Sequence, residues 1–352
     1  MLSQIYAQGE PTQKGTPATS ATDLERLVQG YRLFAKTEGK SQKTIAIVCS
    51  SVSYLEGFLS SEGLPTDAAL IGPPQIRAFI LHLQQKKCFS GHRFTKVQEK
   101  GLSGHTINCY LRSIRSFWSW LASEGLVNSN PFAKLKIPKA PRKIIPTFVE
   151  AQIGQLLGTI DIRTPEGYRD QAIILTLLDT ALRVSELAGV TLDDLRLEEG
   201  TVKVLGKGNK ERLVPIGRRV QRALWHYISR YRPEPEQPKC KLLFLTSEGL
   251  PLTKDRIQKM MAQRGRKAGI KGVRCSPHTL RHTAAISFLR NGGNVFSLQR
   301  LLGHSSLEMT RRYCEVADVD VKNAHMTASP VDNLELKLLV KCPSHRASHG
   351  VK

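Results

Sequence analysis

The sequence predicts two folded domains, mainly α with a small antiparallel β-sheet placed in the second. Three observations carry this reading. At 352 residues the chain exceeds the usual single domain. Apolar residues recur at helical spacing along most of its length. One stretch, Thr201–Ile216, changes to a strand-like pattern around a Gly-Lys-Gly-Asn turn. A content of 40% hydrophobic and 23% charged residues is ordinary for a globular protein and too apolar for a disordered one.

The elements follow in order. Residues 1–21, rich in Gln, Gly, Pro, Ser and Thr, read as a flexible leader. Leu24, Leu27, Tyr31 and Phe34 mark a first helix, and Ile45, Val48, Val52, Leu55 and Leu59 a second. A third follows Pro73-Pro74 with Ile76, Phe79, Ile80 and Leu83. A fourth begins near Ser103 and carries Ile107, Tyr110, Leu111, Ile114, Phe117, Trp118 and Leu121. Residues 22–127 therefore form a helical bundle. Arg112 and Arg115 on the fourth helix, with Lys86, Lys87, Arg93, Lys96 and Lys100 around it, suit phosphate contacts, or equally a solvated charged face. Residues 128–146 hold four prolines and five Lys or Arg, which forbids a continuous helix and marks a basic linker.

The second domain, residues 147–322, is expected to open with helices over 149–160 and 166–189. A hairpin of Thr201–Leu205 and Arg212–Ile216 follows, and Leu242–Leu245 is a candidate third strand. Helices are expected over 218–231, 254–267, 278–290, 295–302 and 306–314. Residues 323–352 form a tail in which Asn333–Val340 is a candidate helix.

Lys and Arg total 52 against 30 Asp and Glu, a formal charge of +22, so an acidic polymer is the expected partner. A protein that is merely basic is the plain alternative, and clustered chemistry must decide between them. No apolar run of the ~18 residues needed to span a bilayer, and no signal peptide, is read from the sequence. The chain is expected in the cytoplasm, with no membrane partner. Seven cysteines at irregular spacing, without a CxxC pair, point to reduced thiols rather than a disulfide framework or zinc ribbon.

The clustered chemistry begins at Arg183, which ends the apolar stretch Ala172–Leu178 and its continuation. A guanidinium keeps its proton, so a buried one needs an acidic partner or an anionic ligand. Glu186, one turn on, supplies the first, and an internal ion pair explains Arg183 when it is taken alone. In Pro277–His282 the i to i+3 spacing sets His278 and Arg281 on one helix face, while His282 reads as a support of the fold. His304 closes the Leu301–His304 segment, and Tyr313 lies nine residues beyond it. Tyrosine, with an ordinary pKa near 10, needs cations and a base to act as a nucleophile. Arg183, Arg281, His278 and His304 are the available group. Two arginines on a phosphate stabilise the charge of a pentacoordinate transition state, and Lys207 in the hairpin can protonate the leaving oxygen. No Asp/Glu cluster of the two-metal kind stands beside them, so neither metal nor other cofactor is expected.

The series Thr180–Leu187, the box GKGNKER at 206–212, His278–His282, Leu302–His304 and Tyr313 resembles the tyrosine recombinases, also called the phage integrase family, and most of all their Xer-type branch. The resemblance spans about residues 22–320. It implies an N-terminal helical SAM-like core-binding bundle joined to a mixed α/β tyrosine recombinase catalytic domain. By position it implies Arg183 and Arg281 as phosphate clamp, Lys207 as general acid, His278 as acid/base, His304 as phosphate hydrogen-bond donor and Tyr313 as nucleophile. It further implies metal- and ATP-independent strand exchange through a 3′-phosphotyrosyl link, on two double-stranded DNA sites, within a homo- or hetero-tetramer whose tail packs on a neighbour.

Ala181 departs from the Gly frequent in the family, a change a helix should tolerate. The role is expected to be integration, excision or transposition of a mobile element, with chromosome or plasmid dimer resolution as the alternative. A topoisomerase of related chemistry, and a non-catalytic DNA-binding protein that keeps the fold, are the competing classes.

Overall fold

A computed structural model describes residues 22–87, 98–138, 146–206, 210–317, 325 and 329–333. The chain divides into two compact units, Met1–Lys143 and Ile144–Lys352.

The first unit holds α1 (Leu24–Thr37), α2 (Gln42–Ser61), α3 (Pro73–Gln85) and α4 (Gly104–Ser123). Ser41 and Ser103 cap α2 and α4, accepting from the backbone N–H of Thr44 at 3.2 Å and Thr106 at 3.1 Å. The apolar stripes meet in one core of Leu24, Leu27, Leu55, Leu59, Phe79, Phe117 and Trp118. By length and composition alone α2 is apolar enough to cross a membrane, a test that the core helix of a globular unit also meets. Ile45, Val48, Val52, Leu55, Phe58 and Leu59 are buried in the bundle, and Lys43 and Glu56 interrupt the run, as in the core helix of a globular unit.

The second unit begins with α5 (Glu150–Gly158) and α6 (Pro165–Thr180). The helix expected over 166–189 does not run through. It stops at Ala181, whose φ of 52° is left-handed, and restarts as α7 (Val184–Ala188) after Leu182 and an extended Arg183. Among the described residues Ala181 is the only non-glycine with positive φ. The residue therefore does not sit inside a helix, and helix propensity, the ground for expecting a harmless methyl there, does not apply. A left-handed alanine costs about 1 kcal/mol or more.

A three-stranded antiparallel sheet follows: β1 (Leu195–Arg196), β2 (Thr201–Leu205) and β3 (Glu211–Pro215). Its register pairs Leu195 with Val202, Thr201 with Pro215 and Leu205 with Glu211. Val202, Val204 and Val214 alternate into the core. The candidate strand Leu242–Leu245 is not part of this sheet. Among the described residues it pairs only through isolated antiparallel bridges, Leu242 with Thr191 and Leu245 with Pro251, while Arg232 donates to the carbonyls of Leu242 at 2.8 Å and Leu243 at 3.1 Å. The run is apolar because Leu243, Phe244 and Leu245 are all buried, with no alternation of faces.

The remaining helices are α8 (Arg218–His226), which passes into a π-turn at Tyr227–Tyr231, α9 (Lys254–Lys267), α10 (Pro277–Arg290), α11 (Val295–Leu302) and α12 (Leu307–Ala317). Helix α10, capped by Ser276, packs against α6, α9, α11 and α12, and carries Ala284 and Ala285 into that core. Asn333–Val340, beyond Asn333, lies outside the described residues, as does all of the leader through residue 21.

The Ala181 turn yields a test. Ala181→Gly relieves the left-handed strain but loses a fully buried methyl, worth about 0.8 kcal/mol, so stability should change by less than about 1 kcal/mol. Ala181→Val adds β-branching and volume at the same point and should cost more than about 2 kcal/mol in urea unfolding.

Candidate active site

Four of the six expected residues converge where α7, α10, α11 and α12 meet. Arg183 is the residue before α7, with its side chain 29% exposed. Its guanidinium donates to Glu186 Oε1 at 2.7 Å, and its backbone N–H donates to Glu186 Oε2 at 2.9 Å. The second bond fixes the restart of the helix and leaves Arg183 at its mouth.

The internal ion pair is thus present, but Glu186 serves two arginines. Arg212 of β3 donates to Oε1 at 3.1 Å and to Oε2 at 2.9 Å. It also donates to the carbonyl of Leu301 at 3.4 Å. Burial pushes the Glu186 carboxyl up; the bonds from Arg212 and Arg183 outweigh this and hold it below its ordinary range. Gly303 ends α11 with φ of 61°, and a Cβ there would lie 2.9 Å from the Arg212 guanidinium. The turn and the close approach both require glycine.

Arg281 is buried on α10. It donates to the carbonyls of Ala181 at 2.6 Å and Leu302 at 2.9 Å, and one Nη lies 3.3 Å from His304 Nε2. The Ala181 turn therefore presents the carbonyl that orients this guanidinium. Burial, then repulsion by Arg183, brings Arg281 down to about 10, so it remains a cation at neutral pH.

His304 follows Gly303, with Nδ1 3.0 Å from the Oγ1 of buried Thr310. Burial, then Arg281, Arg183 and Arg212, take it down to about 4, so the ring is neutral. Its ring stacks towards Tyr313, with centroids 6.3 Å apart. Tyr313 on α12 is 5% exposed. Burial raises its phenol above the ordinary value, and Arg281, Arg312 and Arg183 only partly offset this.

His278 lies one turn before Arg281 on α10 and is exposed. Lys207 falls in residues 207–209, outside the described residues. The flanking Gly206 donates its N–H to the carbonyl of Lys210 at 2.8 Å, and a Cβ at Gly206 would lie 3.9 Å from Glu186 Oε1. The described end of the hairpin therefore abuts the arginine cluster.

Sequence reasoning gave Arg212 and Thr310 no role and read His282 as a support. His282 Nδ1 stands 2.8 Å from the Tyr313 hydroxyl. The available signal was the i, i+4 spacing from His278, which sets both rings on the helix face that bears Arg281. Among the described residues no group of three or more His, Cys, Asp and Glu could hold a metal ion.

A sequence profile described as the phage integrase family matches residues 147–319. Tyrosine recombinase XerC of Bacillus subtilis (strain 168) is 33% identical over 296 residues, covering 82% of this chain and 91% of its own length. The chain belongs to the tyrosine recombinase family. Tyrosine recombinase XerD of Listeria innocua is 33% identical over 236 residues, covering 66% of this chain and 79% of that protein. The Tn1549 transposon integrase, solved with transposon right-end DNA, shares the fold: TM-score 0.66 at 21% identity, covering 86% of this chain and 99% of that one. As a tyrosine recombinase this chain cleaves and rejoins DNA strands in site-specific recombination.

The neutral His304 predicts a pH effect on stability. In the unfolded chain it takes a proton near 6.5, whereas the folded protein refuses that proton until about 4. As pH falls below 6.5 the unfolded state binds more protons, so stability drops from about 6.5 to about 4 and then levels. His304→Gln should gain on the wild type across that window in urea midpoints; parallel curves would remove His304 as a contributor.

Proposed function

We propose that the chain exchanges strands between two duplex DNA sites, with Tyr313 as the nucleophile that joins the 3′ phosphate and frees a 5′ hydroxyl. The observation that carries this is the cluster of Arg281, Arg183 and Arg212, three guanidiniums gathered round the Glu186 carboxylate, with the buried Tyr313 phenol facing Arg281, Arg312 and Arg183. The cluster's surplus of two positive charges suits a phosphodiester anion whose charge grows by one in the pentacoordinate transition state.

In this reading Arg183 and Arg281 clamp the non-bridging oxygens; His304 Nε2, which accepts from Arg281 in the free protein, takes the ring's proton when phosphate arrives and donates to it, while Thr310 then donates to Nδ1. Lys207, next in sequence to Gly206, protonates the leaving 5′ oxygen, and exposed His278 serves as acid/base. The guanidiniums supply the charge stabilisation, so neither a metal ion nor ATP is required, the energy of the broken bond being kept in the phosphotyrosine. Two DNA sites call for four protomers, a homo- or hetero-tetramer. The chain acts in the cytoplasm, where a bacterial relative's DNA lies.

The biological role is movement of a mobile element by integration, excision or transposition. Dimer resolution is the second reading, favoured by the 33% identity to XerC across 91% of that protein.

Purified protein in EDTA, incubated with DNA from beside its own gene carrying a nick near the cut site, should form an SDS-resistant adduct. Tyr313→Phe should bind that DNA and form none, and Lys207→Ala should bind it and form the adduct at least about 100-fold more slowly. An adduct of undiminished yield in Tyr313→Phe would refute the assignment. Recombination between two copies of the element's ends, but not between chromosomal dimer sites, would select the mobile-element role.

A further inference from the structure

The Tyr313 hydroxyl has a base at hydrogen-bond distance, and that base is not one of the six residues named by the motifs. His282 Nδ1 lies 2.8 Å from it, with the ring centroids 5.6 Å apart. His278 is exposed one turn earlier on α10. His304 faces the phenol ring, but its nitrogens are engaged by Arg281 and Thr310. Of the three imidazoles near the nucleophile, only His282 has a nitrogen hydrogen-bonded to the reacting oxygen.

We infer that His282 is the catalytic base: Nδ1 accepts the Tyr313 proton as the phenolic oxygen attacks phosphorus. This rests on the reading of Tyr313 as nucleophile. In the step the Oη–H bond breaks and its proton passes to Nδ1 of a ring already protonated at Nε2. The Oη–P bond forms, the P–O5′ bond breaks, and the electron pair leaving with O5′ takes a proton from the general acid. Rejoining runs the same transfers backwards, with His282 returning the proton to Tyr313.

The surroundings suit this role. About one phenol in a thousand is ionised at pH 7 when its pKa is 10, and burial makes ionisation of Tyr313 rarer still, so attack needs a proton acceptor in place. Burial, then His278 and Arg281 on the same helix and Arg312 on α12, disfavour the charged form of His282, which keeps Nδ1 free to accept. These neighbours also set the timing. A bound phosphate places negative charge against Arg281 and offsets that cationic field, so His282 becomes a stronger base when the scissile group arrives.

The test is the single-turnover rate of adduct formation on the nicked duplex from pH 5.5 to 9.5, for wild type, His282→Asn and Tyr313→Phe, with DNA binding measured in parallel. Asparagine can still accept the phenol's hydrogen bond but cannot carry its proton. The expected result is wild-type DNA affinity with a rate about 100-fold lower or less at neutral pH. The wild-type rate should fall as His282 protonates at low pH and reach a plateau above. The variant should lose that plateau and close the gap as pH rises and the phenol ionises by itself.

A His282→Asn rate within about threefold of wild type, or a deficit equal at every pH, would overturn the inference, while a silent Tyr313→Phe would leave the nucleophile assignment standing. An adduct in Tyr313→Phe would overturn both. If His282→Asn does not fold, His282→Ala with added imidazole replaces it. Recovery that rises with the imidazole base form supports the inference, and no recovery overturns it.

Discussion

The Glu186 carboxylate, 4% exposed, receives the guanidiniums of Arg183 and Arg212 and the N–H that restarts the chain after α6. An isolated carboxylate in such a place would cost several kcal/mol, and an isolated guanidinium no less. Together they are satisfied, and in being satisfied they tie three separate parts of the sequence to one point. Arg183 belongs to the broken helix, Arg212 to the sheet, and through the carbonyl of Leu301 and the glycine at 303 the same guanidinium sets the end of α11. His304 follows immediately, so its position depends on that end.

This arrangement leaves a cationic interior, and the site's other groups respond to it. The imidazoles of His304 and His282 are held neutral, and Arg281 is anchored by two backbone carbonyls rather than by a carboxylate. An acid partner for Arg281 would cancel the charge that a phosphate needs; carbonyls orient the guanidinium while leaving its charge available. The left-handed Ala181 is part of the same design, because its carbonyl is one of those two anchors. Local strain of about 1 kcal/mol or more is thus tolerated where it aims a cation.

Much of this was legible in the sequence. The helical stripes of the first unit, the hairpin, and helices such as Lys254–Lys267 and Val295–Leu302 follow from periodicity and capping. Arg183, Arg281, His304 and Tyr313 follow from motif spacing, and the structure brings them together. The break at Ala181 was obscured because alanine is the strongest helix former; the available signal was the glycine frequent at this position in the family, the residue a left-handed turn favours. Leu242–Leu245 reads as a strand because it is apolar and buried, and among the described residues it pairs only through single bridges to Thr191 and Pro251, outside the sheet. His282 was concealed by its neighbours: a histidine beside a motif arginine looks like support until the distance to Tyr313 is known.

Glu186 and Arg212, bonded through both carboxylate oxygens, should act as one unit in assembling the phosphate site. A double-mutant cycle tests it most directly, with Glu186→Gln, Arg212→Gln and the pair compared in adduct formation on nicked DNA. If they form one unit, each single change should slow the reaction about 100-fold and the double no further, a coupling of about 2.7 kcal/mol. Rate losses that multiply, the double being slowed by the product of the singles, would show that the two residues contribute separately and would contradict the account.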